Sequence, residues 1–133
     1  MRTNARETAF KIIFASQFSD ETEATKRSAI ALEKLNENDV AYLNGVVSAV
    51  NEHKTELAKM IDERSRLFPE SRLFPADRSI LLIAIAEILY FDDIPSAVSV
   101  NEAANIASKY SSEKSATFIS GILSEIIREH DNV

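Results

Sequence analysis

The chain has 133 residues, 45% of them apolar and 27% charged, with a formal net charge of −6, which suits one globular domain with a real core. It contains no cysteine, so disulfides and thiolate metal sites are excluded, and a reducing compartment fits. The acidic balance argues against indiscriminate coating of nucleic acid, so any site for a polyanion has to be local.

The charge is unevenly spread. Residues 1–18 carry Arg2, Arg6 and Lys11 against Glu7, whereas residues 19–39 carry Asp20, Glu21, Glu23, Glu33, Glu37 and Asp39 against Lys26, Arg27 and Lys34. The N-terminal stretch MRTNARETAFKIIF lacks the uninterrupted apolar run and small-residue cleavage site of a secretory signal. No apolar run approaches the roughly 20 residues of a membrane span. The expectation is a mature, cytoplasmic protein.

Glycine occurs twice and proline three times, at Pro69, Pro75 and Pro95. Periodicity near 3.6 residues dominates and strand-like alternation is nearly absent, which predicts an all-α, single-domain helical bundle. A first helix is expected over Thr3–Phe18, with Ala5, Ala9, Ile12, Ile13 and Ser16 on one face. The polar stretch SDETEAT is a loop or the start of a second helix reaching about Lys34. Asn38 is the expected N-cap of a third helix, whose stripe of Val40, Leu43, Val47, Val50, Leu57 and Ile61 is long enough to break near Asn51–Lys54. Pro69 and Pro75 bracket a connection, and Pro75 suits the first turn of the next helix.

Ser79–Phe91 is apolar almost all round and should be the central, buried helix, ended by Asp92-Asp93-Ile94-Pro95. Ser99-Val100-Asn101-Glu102 matches a capping box, followed by Val100, Ala103, Ala104, Ala107 and Tyr110. The last helix carries Phe118, Ile119, Ile122, Leu123, Ile126 and Ile127. Gly121 inside it predicts close packing of another helix or a ligand.

Signals for catalysis are poor. Two glycines cannot build a glycine-rich phosphate loop. With no cysteine and only His53 and His130, few nucleophile–base pairs or metal sites can be assembled. Glu52, His53 and Glu56 share a helical face but read as solvated charges, and Asp92 with Asp93 reads as a turn. The expectation is a non-enzyme without metal or cofactor.

The first helix says more. At about 100° per residue its small-residue face lies nearly opposite Phe14, with Arg6 and Phe10 on one flank and Lys11 on the other. Cations that neutralise phosphates beside a ring that stacks on a splayed base are what single-stranded RNA binding uses. The other reading is that the helix is sandwiched, and that Phe10, Phe14 and Phe18 face a second layer of core.

Three segments resemble one family. Arg2-x-x-x-Arg6-Glu7-x-Ala9 is similar to the arginine-bearing first helix of NusB proteins. The block Asp77-Arg78-Ser79-Ile80-Leu81, then Ile85-Ala86-Glu87-Ile88 and Asp93-Ile94-Pro95, resembles their central helix and turn. Val100-Asn101-Glu102-Ala103, Lys109-Tyr110 and Ser115-x-x-Phe118-Ile119-Ser120-Gly121-Ile122-Leu123 resemble their closing motifs, usually I-N-E-A and F-V-N-G-V-L. The resemblance implies a bundle of about seven helices in two small subdomains. It also implies binding of boxA RNA together with NusE, a small-subunit ribosomal protein, so that the elongation complex transcribes ribosomal RNA operons processively.

By the same resemblance Arg2 and Arg6 would be the basic RNA contacts, Phe14 and Phe118 the aromatic ones. The partner surface would lie around Asp77, Arg78 and Leu81, toward Glu87. The chain departs from the family pattern at Thr3 and Asn4, which interrupt the arginine cluster, and at Leu82, Ala86 and Ser120, where arginine, an aromatic and asparagine are usual. Few cations mean few phosphate contacts, so RNA binding by the chain alone should be weak. The same fold also occurs fused to RNA methyltransferases, but a chain ending at Val133 is expected to lack that enzyme. Two alternatives remain at this point: a helical protein-binding module that has lost RNA binding, or a homodimer joined through Phe10, Phe14 and Phe18.

Overall fold

Why the chain folds around one helix is visible in its fourth element. The computed structural model describes residues 2–18, 27, 30, 34–65 and 72–131, and within them six helices: α1 Arg2–Ser16, α2 Glu37–Glu52, α3 Lys54–Arg64, α4 Pro75–Tyr90, α5 Ser96–Tyr110 and α6 Glu113–Asp131. Every residue of α4 from Ser79 to Ile88 is buried. A helix apolar on all sides cannot face water, and α4 accordingly contacts all five others. Pro75 opens it at the first helical position, where the missing N–H costs nothing.

Around this axis α1 packs on α2, and α5 on α6. One continuous core runs through both groups, from Ala5, Ala9 and Ile12 to Ile119, Leu123 and Ile126. No strand occurs among the described residues. The expected second helix lies mostly outside them; Arg27 and Ile30 are helical.

Several boundaries differ from expectation for identifiable reasons. Asn36, not Asn38, caps α2: its Oδ1 accepts from the Asp39 backbone N–H at 2.8 Å. The break in the long apolar stripe falls at His53, which ends α2 and begins α3. Ser99 caps nothing, because α5 has already begun at Ser96 behind Pro95; its hydroxyl turns into the core instead.

Gly121 is exposed, and a methyl group added there would meet nothing within 4 Å. The close packing predicted at this glycine is absent. Gly45 is the glycine under pressure, since an added Cβ would lie 3.3 Å from the Phe91 ring. Gly121→Ala should therefore stabilise the fold by about 0.5–1 kcal/mol, whereas Gly45→Ala should gain less or lose. Urea denaturation of the two variants checks this, and equal effects would contradict it.

Candidate nucleic-acid interface

The site starts with how α1 is held. Ala5, Ala9, Ile12 and Ile13 are buried, and so are Phe10 and Arg6, the latter only 4% exposed. The helix touches both α2 and α4, so two of its faces are covered.

Arg6 Nε donates to both oxygens of Glu87, at 3.1 and 2.9 Å, and Nη2 donates to Oε1 at 3.0 Å. Glu87, itself 1% exposed, also accepts from the Tyr42 hydroxyl and from Ser99 Oγ at 3.0 Å. One carboxylate thus ties α1, α2 and α5 to α4. Burial lowers the pKa of Arg6, but the hydrogen bond and charge of Glu87 outweigh it and leave the guanidinium above its ordinary value. Burial, then the Glu87 charge, pushes the Tyr42 hydroxyl far up, so it remains a donor. Arg2 lies over the Tyr42 ring, 4.5 Å from its centroid.

Two of the expected site residues thus lie inside. The Arg6 guanidinium is committed to a buried carboxylate, and Glu87 is that carboxylate. Leu81 and Asp77 are buried as well, so of the four expected partner residues only Arg78 reaches the surface, with Nη2 donating to Gln17 Oε1.

The outer side of α1 is different. Phe14 is 36% exposed and Phe18 67%, with ring centroids 5.3 Å apart. Phe14 is 6.0 Å from Phe10, and Phe10 is 5.1 Å from Tyr110 on α5. Four rings therefore form a row that emerges from the core onto the surface. Lys11 and Lys109 lie over the Tyr110 ring, 6.0 and 5.3 Å from its centroid. Lys11 and Phe14 are candidates from the sequence; Lys109 and Tyr110 appear there only within a family-like motif, because they join this surface from another helix.

Glu7 fastens the row. Lys109 Nζ and Tyr110 Oη each donate to its Oε1 at 2.7 Å. Burial pushes the Glu7 carboxyl up, but these bonds and the charges of Lys109 and Lys11 hold it below its ordinary value. A carboxylate with a lowered folded-state pKa stabilises above its unfolded pKa, and that stabilisation fades as pH falls through the folded value. Glu7→Gln should cost at most about 1 kcal/mol at neutral pH and nothing once both forms are protonated. Denaturation at the two pH values tests the pattern.

Phe118, half-buried on α6, lines a cleft with Phe74, Lys114 and Asp77. Asp92 and Asp93 are exposed in the turn after α4. His53 stacks on Tyr90 with centroids 4.3 Å apart, and its Nδ1 lies 3.8 Å from Glu56. Among the described residues no group of three or more histidines and carboxylates could hold a metal ion, and no helix is long and apolar enough to cross a membrane.

The family model described as NusB family matches residues 3–128. The chain belongs to the NusB family. Its similarity to curated NusB relatives runs end to end: it is 39% identical to the transcription antitermination protein NusB of Natranaerobius thermophilus, covering 96% of this chain and 95% of that one. It is 34% identical to the protein of the same name from Agathobacter rectalis, covering 93% and 97%. Among solved structures it is similar to NusB of T. maritima, with a TM-score of 0.90 and 27% identity over 97% of this chain and 92% of that one. The NusB chain solved with NusE and dsRNA shares the fold, with a TM-score of 0.87 and 22% identity over 96% of each chain.

Proposed function

We propose that this protein is a non-catalytic transcription antitermination factor that binds single-stranded boxA-type RNA with the ribosomal protein NusE, in support of processive transcription of ribosomal RNA operons. The observation that carries the reading is the partly exposed Phe14 on a helix otherwise buried on two faces, with exposed Lys11 one turn away. A protein gains nothing in stability by leaving a ring in water, whereas a stacked base repays it by about 1–3 kcal/mol. Lys11 supplies phosphate neutralisation, Arg2 stands at the start of the same helix, and Phe118 supplies a second ring. The solved complex of NusB, NusE and dsRNA supports the choice of partners, and the end-to-end similarity to antitermination proteins supports the role.

Few cations face outward here. Each phosphate contact steepens the salt dependence by roughly 0.7–0.9 in log–log slope, so RNA affinity of the chain alone is low and its salt slope shallow. NusE makes up the difference. Arg6 contributes by holding α1 in place, and the partner contact falls nearer Arg78 than the buried Leu81 or Glu87.

The expected result is that boxA RNA binds at least tenfold more tightly when NusE is present, measured by fluorescence anisotropy at stated salt. Lys11→Ala combined with Phe14→Ala should abolish that gain without loss of helical circular dichroism. If NusE leaves RNA affinity unchanged, the reading fails. The exposure of Phe18 beside Phe14 favours a second reading, a homodimer through this row; concentration-dependent light scattering that RNA does not reverse would establish it instead.

A further inference from the structure

Gln17, the first residue after α1, commits its whole side-chain amide to the start of α4. Its Nε2 donates to the Pro75 carbonyl at 3.0 Å and to Ser79 Oγ, while its Oε1 accepts from Arg78 Nη2. Ser79 Oγ donates to the same Pro75 carbonyl at 2.7 Å, so the four groups form one closed network. A glutamine amide carries two N–H donors and a carbonyl acceptor, and a half-buried one could leave them all to water. Holding each of them against a neighbouring helix fixes a long side chain that otherwise turns freely.

The contact stands where apolar packing of α1 has ended. The buried side chains of that helix stop at Ile13, and Phe14, Ala15, Ser16, Gln17 and Phe18 are each half-buried or exposed. Phe18, directly after Gln17, is 67% exposed. Across the contact Phe74, 71% exposed, occupies the N-cap of α4 with no side-chain cap hydrogen bond. The angle of the last turn of α1 is therefore set by the amide of Gln17 more than by burial of its rings. On the other side of the network Arg78 lines a hollow with Lys54, Lys59 and Asp62 of α3, away from the row of rings. Gln17 thus lies between the exposed rings of α1 and the side chain nearest to which the partner contact falls.

We propose that Gln17 is a positioning residue that couples partner binding to RNA binding. Its two states are an amide docked on Pro75, Ser79 and Arg78, and an amide released to water. In the free chain Arg78 can exchange Gln17 for water, and the last turn of α1 is then loose, so an arriving base has to order Phe14 and Phe18 as it binds. NusE engaging Arg78 holds the docked state and removes that cost beforehand. RNA affinity rises although no RNA group touches Gln17. Because coupling between two binding sites is reciprocal, RNA raises NusE affinity by the same factor. The proposal rests on the RNA-and-NusE reading above and names the residue through which the two ligands act on one another.

The test uses the full chain, fluorescein-labelled boxA RNA and NusE, with anisotropy for RNA affinity and calorimetric titration for NusE affinity. Gln17→Ala should shrink the gain from at least tenfold to about twofold, while NusE affinity without RNA and RNA affinity without NusE change little. Gln17→Glu keeps an acceptor for Arg78 but loses both donors to α4, and should behave like the alanine variant. Ser79→Ala removes one of the three partners and should leave an intermediate gain. Circular dichroism checks that each variant is folded. Leu81→Ala, which weakens the core without touching the network, should keep the full gain at a temperature where it is folded, so loss of stability alone does not imitate the effect. A full gain in Gln17→Ala overturns the proposal and leaves the RNA-and-NusE reading standing. Equal weakening of RNA binding with and without NusE makes Gln17 a direct contact or a purely structural one, and also overturns it. If NusE brings wild type no gain, the underlying reading falls and the proposal with it.

Discussion

Glu87→Ala is expected to lower the stability of the fold by about 3–5 kcal/mol, the cost of removing one member of a buried ion pair. Three donors converge on this carboxylate from three other helices: Arg6 from α1, Tyr42 from α2 and Ser99 from α5. Without it the Arg6 guanidinium stays buried and charged, because arginine does not give up its proton in the accessible pH range. A group whose pKa is raised on folding keeps its stabilisation below the unfolded value, and for arginine that is the whole accessible pH range. On the arginine side, therefore, pH does not switch the fastening. Small domains are stable by only about 5–15 kcal/mol, so the loss should appear as a fall in melting temperature of about 10–20 °C. Arg6→Ala should cost a similar amount by stranding Glu87. Replacing both by apolar residues of like volume should recover most of the loss, and a Glu87→Ala cost below about 1 kcal/mol would refute the account.

The same pair shows where sequence reading succeeds and where it stops. The buried run of α4, Ser79 to Ile88, is legible, since a segment apolar on every side has only one place to go. The direction of Phe14, opposite the small-residue stripe of α1, is legible too, but whether a second layer of core covers it is not. The burial of Arg6 is not legible for a physical reason: periodicity reports one buried face, but α1 is covered on two, and the partner that permits a guanidinium to be buried lies 81 positions away. Ser99 offered a capping-box pattern, yet Pro95 starts α5 a turn earlier, which frees the hydroxyl to meet Glu87. Gly121 had the look of a contact point, but whether a helical glycine faces a neighbour or water is settled by the packing of the bundle. Phe74 carried no readable signal, because an aromatic in a proline-flanked connection becomes unusual only when its exposure and cap position are known.

Leu81→Ala should also cost about 2–5 kcal/mol, as expected for a large apolar side chain deleted from a packed core. Leu81 is fully buried in α4, the helix in contact with all the others, so few of its neighbours can move in to fill the space. The prediction separates two roles that sequence alone leaves together. A partner-contact residue changes affinity while leaving stability nearly unchanged, since surface substitutions stay within about 0.5 kcal/mol. A core residue does the reverse. Calorimetric titration of NusE into Leu81→Ala, at a temperature where the variant is folded, should therefore give wild-type affinity alongside a reduced urea midpoint. Arg78→Ala should show the opposite pattern, with affinity lost and the midpoint little changed, because Arg78 reaches the surface. If Leu81→Ala weakens NusE binding while its midpoint stays at the wild-type value, the partner surface extends into α4 and the helix is less closed than its burial indicates.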